Sequence, residues 1–141
     1  MRPTYESSDD LRNEQEIITF FAKHFNDKLN AVKIPKQYKI DYCLMIDDKI
    51  TAFAEVKNRT CEKDTYDTYM LSLAKYLESI KIKKDLSLET ILVVKWTDAI
   101  GYIELGRRTW PIGFGGRIDR GDWQDKEPMI FIPISEFGLI Q

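Results

Sequence analysis

Apolar and polar positions along this chain follow two periods, and the changes from one to the other mark out its elements. From about residue 8 to 25, Leu11, Ile18, Phe21 and Phe25 recur at spacings of 7, 3 and 4, a single stripe on a helix. Ser7 or Ser8 supplies the N-cap, and Asp9 and Asp10 fall in the first turn, where the helix dipole favours acids. Residues 26–35 read as a loop with marginal helical content. Residues 38–46 alternate as a strand does, with Tyr38, Ile40, Tyr42, Leu44 and Ile46 on one face and Lys39, Asp41, Cys43 and Met45 on the other. Residues 50–57 alternate again, Ile50, Ala52, Ala54 and Val56 opposing Thr51, Phe53, Glu55 and Lys57. With Asp47, Asp48 and Lys49 as the turn between them, the two runs form a hairpin.

Past a polar stretch at 58–65, Tyr66, Tyr69, Met70, Leu73, Leu77 and Ile80 predict a second helical stripe, closing near Lys83 and Lys84 in the dipole-favoured last turn. Residues 90–97 hold Ile91, Leu92, Val93, Val94 and Trp96, a short, nearly continuous apolar run that suits a strand buried on both faces. Residues 99–105 are its hairpin partner. A glycine-rich loop at 106–125 precedes a final strand at 129–134 and a short tail. The predicted order is α, β, β, α, β, β, loop, β, an α/β fold around a small mixed sheet.

The size of the chain, 141 residues, predicts one domain over 1–141, and 43% hydrophobic residues supply its core. No apolar run approaches the roughly 20 residues that a membrane span needs, the first residues lack a secretory signal, and two cysteines are too few for a disulfide framework. The expectation is a soluble cytoplasmic protein with free thiols at Cys43 and Cys61. A net charge of −2 gives no overall attraction for nucleic acid, so any such contact must be local.

Polar groups on the wrong faces supply the candidate chemistry. At about 100° per residue, Glu14 falls inside the apolar stripe of the first helix while Glu16 faces the opposite side. A carboxylate on a buried face costs several kcal/mol unless it is paired or binds a metal. In the hairpin, a three-residue loop makes opposed residue numbers sum to 96, which sets Asp41 across from Glu55 with Cβ atoms roughly 4.5–5.5 Å apart. Carboxylates so placed repel unless a proton or cation lies between them. Magnesium suits the gap, since it takes oxygen ligands, usually one or two protein carboxylates, and completes its shell with water and phosphate oxygens. Lys57, on the same face, can orient or deprotonate a water or stabilise developing phosphate charge. The plainer alternative is a solvated cross-strand salt cluster.

The run Ile40-Asp41, thirteen residues, then Glu55-Val56-Lys57 resembles the PD-(D/E)xK nuclease superfamily, with a preceding helix that carries a glutamate, here Glu14. It is most similar to the Holliday-junction-resolvase-like branch, which includes small phage endonucleases, and the likeness spans about residues 9–84. Ile40 stands where the motif has proline. The resemblance implies a restriction-endonuclease-like core, a small mixed β-sheet flanked by helices. It implies Glu14, Asp41 and Glu55 as metal ligands, the carbonyl of Val56 as a further ligand, Lys57 as the catalytic lysine, and Mg²⁺ or Mn²⁺ as cofactor. The implied activity is hydrolysis of DNA, endonucleolytic rather than exonucleolytic, with junctions, flaps or nicks as structure-specific targets. An RNA-directed enzyme and a non-catalytic nucleic-acid-binding protein on the same fold remain open, as does a homodimer.

Two further sets are candidates for nucleic-acid contact. Lys75 lies with Thr68, Ser72 and Ser79 on the polar face of the second predicted helix. Arg107, Arg108, Arg117 and Arg120 give residues 106–120 a local charge of +3 and alternate with glycines and with Trp110, Phe114 and, just beyond, Trp123. Arginine grips phosphate bidentately and aromatics stack on bases, although the same loop also reads as tryptophans packed on a sheet under surface arginines. His24 reads as a surface histidine and Cys43 as a small core residue.

Overall fold

The computed structural model describes residues 8–116 and 126–140. Helix α1 (Ser8–Phe25) leads into β1 (Asn30–Lys33), β2 (Tyr42–Ile46) and β3 (Lys49–Asn58). A short 3₁₀ turn (Lys63–Thr65), β4 (Thr68–Ser72) and helix α2 (Leu73–Leu86) follow. The rest is β5 (Thr90–Lys95), β6 (Ile100–Glu104), β7 (Ile112–Gly116), β8 (Lys126–Pro133), a second 3₁₀ turn (Ile134–Glu136) and β9 (Gly138–Ile140). One mixed sheet runs β1-β2-β3-β5-β6-β9, with β3 and β5 the parallel pair at its centre, and a second sheet runs β4-β8-β7.

Two apolar cores hold the layers. Ile17, Ile18, Phe21 and Ala22 of α1 pack on Tyr42, Leu44, Ala54, Val56 and Val93, on one face of the large sheet. On the other face, Leu92, Val94, Ile103 and Leu105 meet Tyr76 of α2 and Leu71, Ile130 and Ile132 of the small sheet. Ile18 and Phe21 of the predicted α1 stripe are therefore buried in the phase the sequence predicts. Phe25 lies past the sheet, half exposed, against Phe21 and Tyr102.

Several features depart from the sequence reading. Residues 30–33 are a strand, not part of a loop: four residues with partial burial leave no readable period, and pairing with β2 decides the conformation. Residues 68–72 belong to β4 rather than to the start of the second helix. Tyr69 and Leu71 alternate inward against Ile132 and Ile130 of β8, and this period of two prevails over the helical spacing of Tyr66, Met70 and Leu73. Helix α2 then buries Tyr76, Ser79 and Ile82 and leaves Leu77 and Ile80 at the surface. Its phase is fixed by Tyr76, whose hydroxyl donates to the Arg108 carbonyl at 2.6 Å and whose ring meets Trp110. The third is β7, a strand inside the predicted loop, paired with β8. Strand β2 begins only at Tyr42, so residues 38–41 of the predicted strand lie outside the ladder, and residues 138–140 of the predicted tail form β9 against β6.

The hairpin reaches its expected register by an unexpected route. The turn has two residues, Asp47 and Asp48, with Asp47 in the left-handed region at φ 54°, which aspartate tolerates. Ile46 pairs with Lys49 and Met45 with Ile50, one residue off the predicted sum. A bulge at Thr51, whose hydroxyl donates to the Leu44 carbonyl at 3.0 Å, restores it, and from Leu44–Ala52 onward opposed numbers sum to 96. Ile50 is thereby turned to the face of Cys43 and Phe53, while Glu55 keeps its predicted face.

Candidate active site

Strand β3 delivers Glu55 and Lys57 to one end of the large sheet. Asp41 stands just before β2, and instead of extending the ladder with its backbone it accepts the Val56 amide on Oδ2 at 3.4 Å. Lys33 of β1 lies 3.9 Å from Asp41 Oδ1. From the other side, the first turn of α2 brings Lys75, and the second turn of α1 brings Asn13 and Glu14. Asn13, Glu14, Asp41, Glu55, Lys57, Asn58 and Lys75 line one open cavity of about 370 Å³. Glu16 lies outside it, exposed on an adjoining surface with Phe20 and Lys95 that shares Asn13 and Asn58.

Glu55 is the unusual group. Its side chain is 0% exposed, and Oε1 accepts no hydrogen bond among the described residues. Oε2 is 3.4 Å from Lys57 Nζ and 3.3 Å from Lys75 Nζ. Burial, reinforced by repulsion from Asp41, raises its pKa above the ordinary 4.5, and the two lysines offset only part of this. For Lys57 the balance is reversed. Burial pulls its pKa down, yet Glu55, Tyr69 and Asp41 together hold it above the ordinary 10.5. The first turn of α2 contains no acid, so Lys75 sits unfavourably near the positive end of that helix and is held there by Glu55 and by the Lys39 carbonyl, to which it donates.

The donor set fits a hard cation. A buried carboxylate with an unbonded oxygen, a second carboxylate beside it and an open, water-accessible side match a magnesium-type shell built on two carboxylates. Among the described residues, no three acidic, histidine or cysteine side chains close around one point. The cavity can therefore hold such an ion only with solvent or phosphate oxygens completing the shell.

The remaining candidates fall elsewhere. Thr68 and Ser72 are on β4, and Ser79 is buried with its hydroxyl bonded to the Tyr76 carbonyl. Arg107 pairs with Glu104 at 2.6 Å and Glu89 at 3.5 Å, and Arg108 pairs with Glu136 at 2.6 Å. Trp110 is a packing residue that donates its indole N–H to Glu136 at 3.3 Å. Arg117, Arg120 and Trp123 lie outside the described residues. His24 is exposed and Cys43 buried, with burial raising the thiol pKa. Asn13, Asn58 and Lys33 are cavity or site-edge residues that the sequence reading did not single out. Asn58 adjoins Lys57 and Asn13 adjoins Glu14, so adjacency was their only signal.

A central mixed sheet, a helix glutamate beside the paired carboxylates and the strand lysine define the PD-(D/E)xK class of nucleases. The chain belongs to the family described as "Phage putative PDDEXK endonuclease", whose model matches residues 1–140. In structure it is similar to Hjc, a Holliday junction resolvase from the archaeal hyperthermophile Archaeoglobus fulgidus, with a TM-score of 0.54, 11% identity, and coverage of 89% of this chain and 87% of that one. The search of curated proteins finds no match. Among the described residues no helix is long and apolar enough to cross a membrane.

Proposed function

We infer that the protein is a divalent-metal-dependent endonuclease that hydrolyses phosphodiester bonds in DNA. The observation that carries this reading is Glu55: a fully buried carboxylate, beside Asp41 and two lysines, facing an open polar cavity. Asp41 and Glu55 would hold Mg²⁺ or Mn²⁺, with the Val56 carbonyl as a further ligand and Glu14 engaged directly or through water. Bound there, the ion supplies Lewis acidity toward the phosphate and lowers the pKa of an attacking water.

The chain's own groups have separable parts. Lys57, kept protonated by its carboxylate neighbours, offers a positive charge to a phosphate oxygen on which negative charge develops. Lys75 pairs with the same Glu55 oxygen as Lys57, which leaves Oε1 for a cation. Asn13 and Asn58 bring uncharged amides that donate to phosphate or water without adding charge.

Incubation with linear, circular, single-stranded and branched DNA and with RNA, each with and without Mg²⁺ or Mn²⁺, tests the reading. Cutting of closed circular DNA only when metal is present is the expected result. Metal-dependent cutting confined to RNA would reassign the substrate, and no cutting of any of them would favour a binding protein on this fold.

A further inference from the structure

The largest of the described cavities is not the carboxylate site but its neighbour, about 760 Å³ in volume. Strand β3 joins the two. Glu55 and Lys57 share one side of it, and Arg59 follows directly after its last residue, Asn58. Tyr69 stands between Lys57 and Arg59, near enough to raise the Lys57 pKa on one side, while on the other its hydroxyl accepts a hydrogen bond from Arg59 Nη2 at 2.9 Å.

The lining combines three chemistries. The Arg59 guanidinium lies 4.7 Å from the Tyr69 ring centre, and no carboxylate among the described residues is within ion-pairing distance of it. Tyr66, 68% exposed, stands free at the mouth, and Trp96 and Met70 supply apolar wall. Glu62 and Thr68 add hydrogen-bonding groups. The surrounding backbone is tied down: the Arg59 amide donates to the Lys95 carbonyl at 2.8 Å, Thr97 to the Cys61 carbonyl at 3.1 Å, and the Lys63 amide to Asp98 Oδ1 at 2.9 Å. The pocket is thus preformed, as ligand sites generally are.

Building on the nuclease reading, we propose that this cavity receives one unstacked nucleotide of the substrate strand, next to the phosphate held at Lys57. Its phosphate meets Arg59 and its base stacks on Tyr66. A base inside a continuous duplex is held in its stack and must be extruded, at a cost of a few kcal/mol, before it can enter such a pocket. An unpaired base at a gap, flap or branch enters without that cost. The cavity therefore selects DNA that is already unpaired beside the cut.

Oligonucleotides carrying 2-aminopurine at successive positions, as single strands, as flaps and as full duplex, test this in Ca²⁺, which takes the same oxygen ligands. With the wild-type chain, emission should change at one or two positions of the unpaired substrates only. Tyr66→Ala should abolish that change and weaken single-strand binding about 5- to 150-fold, the worth of one base–aromatic stack, with duplex binding and melting temperature unchanged. Arg59→Lys, which keeps the charge and loses the fork, should weaken unpaired substrates more than duplex. Free deoxyadenosine monophosphate should compete for the pocket only weakly, since it lacks the strand that places it. Equal affinity of Tyr66→Ala and wild type for every substrate would overturn the proposal. Cleavage in Mg²⁺ is read separately: unpaired-site binding without cutting would contradict the nuclease reading and leave the pocket supported, whereas cutting with no 2-aminopurine signal would do the reverse.

Discussion

Glu55 carries most of the site's electrostatic tension. Its raised pKa means that the folded chain binds a proton there more tightly than the unfolded chain does. Metal-free stability from this group is therefore greatest at low pH and is lost as pH rises from the ordinary glutamate value of 4.5 through the raised folded one. Metal-free Glu55→Gln should melt no lower than wild type at pH 7 and lack this decline, in thermal scans from pH 4 to 8. A lower melting point would mean that Glu55 is held chiefly as a structural partner of Lys57 and Lys75. On α1, Glu14→Gln should weaken metal-dependent cutting while Glu16→Gln leaves it intact, because only Glu14 lines the cavity. A turnover assay of the two variants at limiting metal separates them.

At the level of elements, what was legible in the sequence was whatever a single period could state. Ile18 and Phe21 of the α1 stripe, the β2–β3 alternation from Tyr42 to Ile46 and from Ala52 to Lys57, and the buried run of β5 appear where their patterns place them, whereas residues 38–41 and Ile50 do not follow the expected alternation. The register that pairs Tyr42 with Ala54, and so sets Asp41 just past the ladder beside Glu55 and Val56, was legible only in its result. A two-residue turn and a bulge at Thr51 reach the same sum as the expected three-residue loop, and strand alternation cannot distinguish them. Strands β1 and β4 were illegible because four or five residues fit either period until a partner strand decides. Lys75 was legible as a polar residue on a helix, but its ion pair with Glu55 depends on how α2 crosses the sheet. That crossing rests partly on Tyr76. Tyr76→Phe removes its hydrogen bond to the Arg108 carbonyl and should cost about 0.5–1.5 kcal/mol, seen as a lower urea midpoint with an unchanged slope.

For the whole molecule, a charge of −2 leaves nucleic-acid binding to local patches. Arg107 and Arg108 already face Glu89, Glu104 and Glu136, so a phosphate must compete with those carboxylates for them. Replacing both with glutamine should change the salt dependence of duplex binding less than replacing Arg117 and Arg120. Each arginine that does contact phosphate contributes about 0.9 to that slope for duplex DNA. Binding titrations in Ca²⁺ at several salt concentrations give the comparison. The central claim, that Asp41 and Glu55 form a metal-dependent cutting site, is tested most directly by cutting of closed circular single-stranded DNA, which has no ends and unpaired bases beside every bond. Wild type should convert it in Mg²⁺ and not in chelator, and Asp41→Asn and Glu55→Gln should each lower the rate at least ~100-fold while remaining folded. Cutting by Glu55→Gln at the wild-type rate would contradict it.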